Sequence, residues 1–148
     1  MGSKKQDGTW VEPFDPTKLD HQGGEYTEGN AWQWTWLVPQ ELPGLMDLHG
    51  GRDDFAKKLN ELFTMSSAQT CAGHDDVIGL IGQYAHGNEP SLHIAYLFNC
   101  AEELWSTDEL LYKIMTEFYP VSPAGLIGNE DCGQMFAWFV LSALGIYQ

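Results

Sequence analysis

Helical periodicity constrains the fold of this chain more than any other feature. Over residues 52–63 the apolar side chains Phe55, Leu59, Leu62 and Phe63 fall at i, i+4, i+7 and i+8, one stripe of an amphipathic helix. Asp53 and Asp54 stand four positions before Lys57 and Lys58, so the other face is a solvated row of ordinary ion pairs. A second helix is expected after Pro90, where Ile94, Leu97, Phe98 and Ala101 keep helical spacing and the proline fits the first turn. A third is expected to follow Ser106, which forms a capping box with Glu109. Its buried stripe is Leu111, Ile114, Met115 and Phe118, and Pro120 and Pro123 end it. Residues 133–144 are apolar nearly all round and predict a helix walled in by others. Residues 31–38, with Trp32, Trp34 and Trp36, suit strand or helix and are read as helix. Little reads as sheet. The fold class is all-α, with long loops rich in Gly, Asn, Glu and His between the helices.

Charge narrows the partners. A formal net charge of −14 over 148 residues argues against nucleic acid, because phosphate binding needs a basic face. It leaves neutral ligands such as sugars, or cations. The longest apolar stretch, residues 135–147, is shorter than the roughly 20 residues of a membrane helix and contains Trp138 and Ser142, so no membrane insertion is expected. No signal peptide is visible in MGSKKQDGTW. Cys71, Cys100 and Cys132 have no metal-like spacing, and their odd number leaves a free thiol.

Three polar loops carry the chemistry. In EYTEGNAWQWTW, Glu28 lies beside tryptophans that could desolvate it and raise its pKa towards general-acid work, or it is a surface carboxylate in a Gly-Asn turn. The tryptophans themselves can stack on a sugar or fill a core. In GQYAHGNEPSLH, Asn88 and Glu89 offer hard oxygen ligands suited to calcium, and Glu89 also suits a helix N-terminus. His86 and His93 make no zinc signature. In GNEDCGQ, Glu130 and Asp131 suit a coupled pair or a general base, and Asp131 with Gln134 also has the spacing of a capping box. Two carboxylates and stacking aromatics are the parts of a glycoside hydrolase.

Four segments go further: DGTWVEPFDP, EYTEGNAWQWTWLVPQELPGL, VIGLIGQYAHGNEPSLHIAYLFN and GLIGNEDCGQMFAWFVLSALGIY. In this order they resemble the C-terminal part of the catalytic domain of glycoside hydrolase family 92, over about residues 7–147. The resemblance implies a calcium-dependent, inverting exo-α-mannosidase that acts on terminal mannose of mannans or N-glycans, with α-1,2 the expected linkage. It implies that residues 1–148 are a fragment of one (α/α)6 toroid, lacking an N-terminal β-sandwich and the first part of the barrel. The remainder of the catalytic domain is then a partner, beside a mannose-containing glycan, and a secreted or periplasmic location follows. The alternative is an inactive or merely sugar-binding fragment.

The same resemblance implies roles. Glu28 matches the general acid and Asp131 the general base, with Asn129 at a position that is often an assisting aspartate. Asn88 and Glu89 match the calcium-binding segment, and Trp32, His86 and Glu130 are sugar-contacting candidates. The sequence departs from the family pattern at Leu92, Asp108 and Phe136.

Overall fold

The computed structural model describes residues 2–19, 24–68 and 77–146. Its helices are α1 (Ala31–Trp34), α2 (Leu42–Leu48), α3 (Arg52–Thr64), α4 (Leu97–Cys100), α5 (Leu104–Glu117) and α6 (Gln134–Ala143). The stripe on α3 does what its spacing predicts. Phe55, Leu59 and Leu62 are fully enclosed, each a gain of about 1.5–3 kcal/mol over exposure. Trp36, just beyond α1, meets Phe55 edge-on at 5.5 Å and stacks on His49 at 5.2 Å. The tryptophan-rich segment is therefore helical only over α1, and its third tryptophan is core.

One short hairpin was not legible in the sequence. β1 (Leu80–Ile81) pairs antiparallel with β2 (Tyr84–Ala85), in the register Leu80 to Ala85 and Ile81 to Tyr84. Two-residue strands leave no alternation to read. The hairpin tip seats on the end of α3, where Gln83 N–H donates to the Leu62 carbonyl at 2.7 Å. Gly82 is required there: a Cβ on it would lie 2.3 Å from that same carbonyl oxygen.

Three expectations need correction. The helix expected after Pro90 is broken into two 3-10 turns, Glu89–Ser91 and Ile94–Tyr96, followed by the four-residue α4. Its apolar positions are nonetheless buried as predicted, because i→i+3 bonding still keeps them on one side. α5 begins two residues before Ser106, so Ser106 cannot cap it; its hydroxyl bonds to the Glu103 carboxylate at 3.3 Å. In α5, Ile114 and Thr107 are the buried residues, and the Thr107 hydroxyl donates to the Ala95 carbonyl.

The third correction concerns α6. Met135 and Trp138 are buried, but Phe136 and Val140 are more than half exposed. Among the described residues one face of α6 packs on the core and the other is open. Cys100 and Cys132 are free and exposed, while Cys71 and Tyr147 lie outside the described residues. No helix of the described residues is long and apolar enough to cross a membrane.

Candidate active site

The loop before α1 is held by amides. Asn30 and Gln33 cap each other, Gln33 N–H donating to Asn30 Oδ1 at 3.2 Å and Asn30 N–H to Gln33 Oε1 at 3.0 Å. Both then reach the hairpin. Asn30 Nδ2 donates to Gln83 Oε1 at 2.8 Å, and Gln33 Nε2 donates to the Gln83 carbonyl at 3.0 Å. Asn30 and Gln83 are wholly buried, so each bond carries the cost of leaving a polar atom unmet. Gly29 has no room for a side chain, since a Cβ would fall 2.8 Å from Gln33 Oε1. Glu28, just before it, is exposed and left-handed, with φ +50°. Such a conformation costs a residue with a side chain about 1–3 kcal/mol and persists only where its surroundings hold it.

The second loop leaves the hairpin through His86. Its Nδ1 lies 2.7 Å from the Tyr84 hydroxyl and its Nε2 2.7 Å from the Tyr119 hydroxyl. Tyr119 donates to the Met135 carbonyl in α6, so it accepts from His86, and His86 accepts from Tyr84. Burial pulls the imidazole pKa down to about 3, which keeps this neutral tautomer in place. Burial, with the Glu130 charge adding, raises the Tyr119 phenol above its ordinary range. His86 was expected to touch a sugar, but it has no exposed surface in the described residues. It ties the second loop to the start of α6 instead.

Two residues on, Asn88 is 6% exposed, and its amide nitrogen donates to the Glu28 carbonyl at 2.7 Å. The first two loops are thereby joined at the candidate acid. Glu89 follows, half-buried at the start of its 3-10 turn.

The third loop meets the second glycine to glycine. A Cβ on Gly128 would lie 2.9 Å from the Gly87 Cα, and one on Gly87 would lie 2.7 Å from Ile78 Cγ1. Only two glycines allow the backbones this close. Beyond Gly128 the chain turns left-handed at Glu130, Asp131, Cys132 and Gly133 in succession. The capping box expected from Asp131 and Gln134 does not form, for that left-handed run puts Glu130 over the helix end. Glu130 accepts from Gly133 N–H at 2.6 Å and from Phe136 N–H at 3.1 Å. Its carboxylate, expected to contact sugar, is committed to the backbone. Asp131 is exposed, and its own N–H donates to the Asn129 carbonyl at 2.7 Å.

These contacts bring together the three loops that carry Glu28, Glu89 and Asp131. Burial holds the Glu89 carboxyl above the usual carboxylate range; its own backbone pulls the other way, and the neighbouring Asp131 and Glu28 push it up. A hard cation would relieve that concentration of charge, and Glu89 with the amide oxygen of Asn88 are donors of the right kind. Among the described residues no group of three His, Cys, Asp or Glu side chains could hold a metal. Further ligands would therefore come from carbonyls or water. Trp32, expected to stack on a sugar, is half-buried, and Lys58 Nζ lies 3.8 Å from its ring centroid, so one face is taken. The residues that sequence reasoning missed are the connectors: Asn30, Gln33, Gln83, Gly87, Gly128 and the two tyrosines.

The model of the glycosyl hydrolase family 92 catalytic domain matches residues 1–148. The chain is similar to a family 92 α-mannosidase from Bacteroides thetaiotaomicron solved in complex with mannoimidazole, with 40% identity and a TM-score of 0.85 over 95% of this chain and 19% of that one. A family 92 inverting mannosidase from the same bacterium is 35% identical, with a TM-score of 0.74 over 97% of this chain and 20% of that one. An uncharacterized secreted glycosidase of Arthroderma benhamiae is 26% identical over 129 residues, 87% of this chain and 15% of the relative. The chain thus spans about a fifth or less of these relatives.

Proposed function

Since the chain belongs to glycosyl hydrolase family 92, we propose that its three loops form one wall of the site of an inverting exo-α-mannosidase. Glu28 is the general acid that protonates the departing glycosidic oxygen. Asp131 is the general base that takes a proton from the attacking water on the other side of the sugar. Its carboxylate is free for this because Glu130 has taken over the capping of α6. Asn129 lies beside the base and assists it as a neutral hydrogen-bonding group. Asn88 and Glu89 hold calcium. The bound ion would supply a fixed positive charge against the sugar hydroxyls. The observation that carries this reading is the convergence of the three loops, with Asn88 bonded to the Glu28 carbonyl at 2.7 Å across 60 positions and Gly87 packed against Gly128.

The substrate class is terminal α-linked mannose in mannans or N-glycans, with α-1,2 the first linkage to assay. The open face of α6 supports cooperation with the remainder of a catalytic domain, because exposed apolar surface of this kind marks an interface. A partial (α/α)6 toroid would provide that setting. Hydrolysis of an α-mannoside by the 148 residues alone would contradict this part of the reading. The chemistry is tested by Glu28→Gln in the complete enzyme. Turnover of an aryl α-mannoside with a poor leaving group is expected to fall by about 10²–10⁴-fold. Near wild-type turnover would remove Glu28 from the acid role.

A further inference from the structure

Asn88 stands at an N-cap position and does not cap. The 3-10 turn beginning at Glu89 receives no hydrogen bond from its side chain, although asparagine is among the best capping residues. The side chain reaches instead across 60 positions of sequence, and its nitrogen donates to the Glu28 carbonyl at 2.7 Å. The residue that receives this bond is left-handed at φ +50°, a conformation strained for any residue with a side chain. The direction in which a side chain leaves the backbone is fixed by φ and ψ. Whatever holds the Glu28 peptide therefore aims its carboxyl group. The amides of Asn30, Gln33 and Gln83 anchor the peptides after Gly29, and Asn88 holds the carbonyl of Glu28 itself.

We propose that Asn88 is a positioning residue for the general acid: its amide N–H keeps Glu28 in the left-handed conformation that points the carboxyl group at the leaving oxygen. The inference rests on the acid reading of Glu28. It gives Asn88 a use for each end of its amide. The nitrogen holds the acid, and the oxygen is left for a cation, so one side chain sets the two in fixed relation.

The test is Asn88→Asp in the complete enzyme, which retains oxygen donors and removes the N–H. Protonation of the leaving group matters for a poor leaving group and hardly at all for 2,4-dinitrophenolate. The ratio of kcat/KM on the 2,4-dinitrophenyl substrate to that on 4-methoxyphenyl α-mannoside is expected to rise about 30-fold over the wild type. Binding of calcium alone, measured by calorimetry on the metal-free enzyme, is expected to persist. Glu28→Gln is assayed alongside. If it shows no dependence on the leaving group, the acid reading fails before the positioning role is reached. If Glu28→Gln shows that dependence while Asn88→Asp slows both substrates equally, or neither, the positioning role is overturned. Should Asn88→Asp fail to fold, a crystal structure of the wild-type enzyme with calcium decides. An Asn88 nitrogen on the Glu28 carbonyl supports the role, and a side chain turned away from it refutes it.

Discussion

The tripeptide Gly-Asn-Glu occurs at residues 87–89 and again at 128–130, and the two copies divide their work in opposite ways. In the first, the asparagine makes the structural bond, to the Glu28 carbonyl, and the glutamate is left half-buried at the start of its 3-10 turn. In the second, the glutamate makes the structural bonds, to Gly133 and Phe136, and the next residue, Asp131, is the proposed base. What separates them is backbone hand at the glutamate. Glu89 opens a right-handed 3-10 turn, whereas Glu130 sits at φ +67° and folds back over α6. Identity of residue type in two loops is therefore a poor guide to role. Which group is spent on structure decides which is free to react.

The sharpest way to break this contrast is to swap the burden within the second copy. Asp131→Asn is expected to lower kcat by about 10²–10⁴-fold with little change in stability, as read by mannose release and thermal melting. Glu130→Ala is expected to do the reverse, costing about 1 kcal/mol as a lost helix cap and leaving most of the turnover. A large loss of turnover in Glu130→Ala with Asp131→Asn nearly silent would invert the assignment.

The next effect tests the seam between the copies. Gly128→Ala must place a methyl 2.9 Å from the Gly87 Cα at φ +92°, and a destabilisation of about 1–3 kcal/mol is expected in denaturant unfolding. An unchanged midpoint would mean that the loops do not meet in this way.

A pH-dependent effect concerns the buried imidazole that ties the first copy to α6. His86 titrates near its ordinary 6.5 when unfolded and only at about 3 when folded, so its neutral form contributes stability that is complete above pH 6.5 and lost as pH falls. Relative to His86→Phe, the wild type is expected to lose up to about 1.4 kcal/mol per pH unit between those values. Parallel stability curves for the two proteins would show that the imidazole is not enclosed.

Much of the scaffold was legible because helical periodicity is local. The α3 stripe follows from residues at most eight positions apart. The hairpin was not, since its strands are two residues long, and neither was the open face of α6, whose apolar composition says nothing about what lies against it. The capping of α6 was misread because Glu130 and Asp131 are both carboxylates near the helix start, and only the left-handed turn chooses between them. For the site, composition and spacing left Glu28, Asn88, Glu89 and Asp131 poised between turn chemistry and catalysis. The resemblance to known glycosidases chose among those readings. The connectors were out of reach, since Asn30 meets Gln83 at 53 positions' remove and nothing local marks the pair.

That the first and second copies serve one site is tested most directly by a double-mutant cycle on kcat in the complete enzyme, with Glu89→Gln, Asp131→Asn and the two combined. If the residues act as a unit, the double variant is expected to be little worse than the poorer single variant. A loss equal to the product of the two single losses would mean that Glu89 and Asp131 work independently, and would contradict the account.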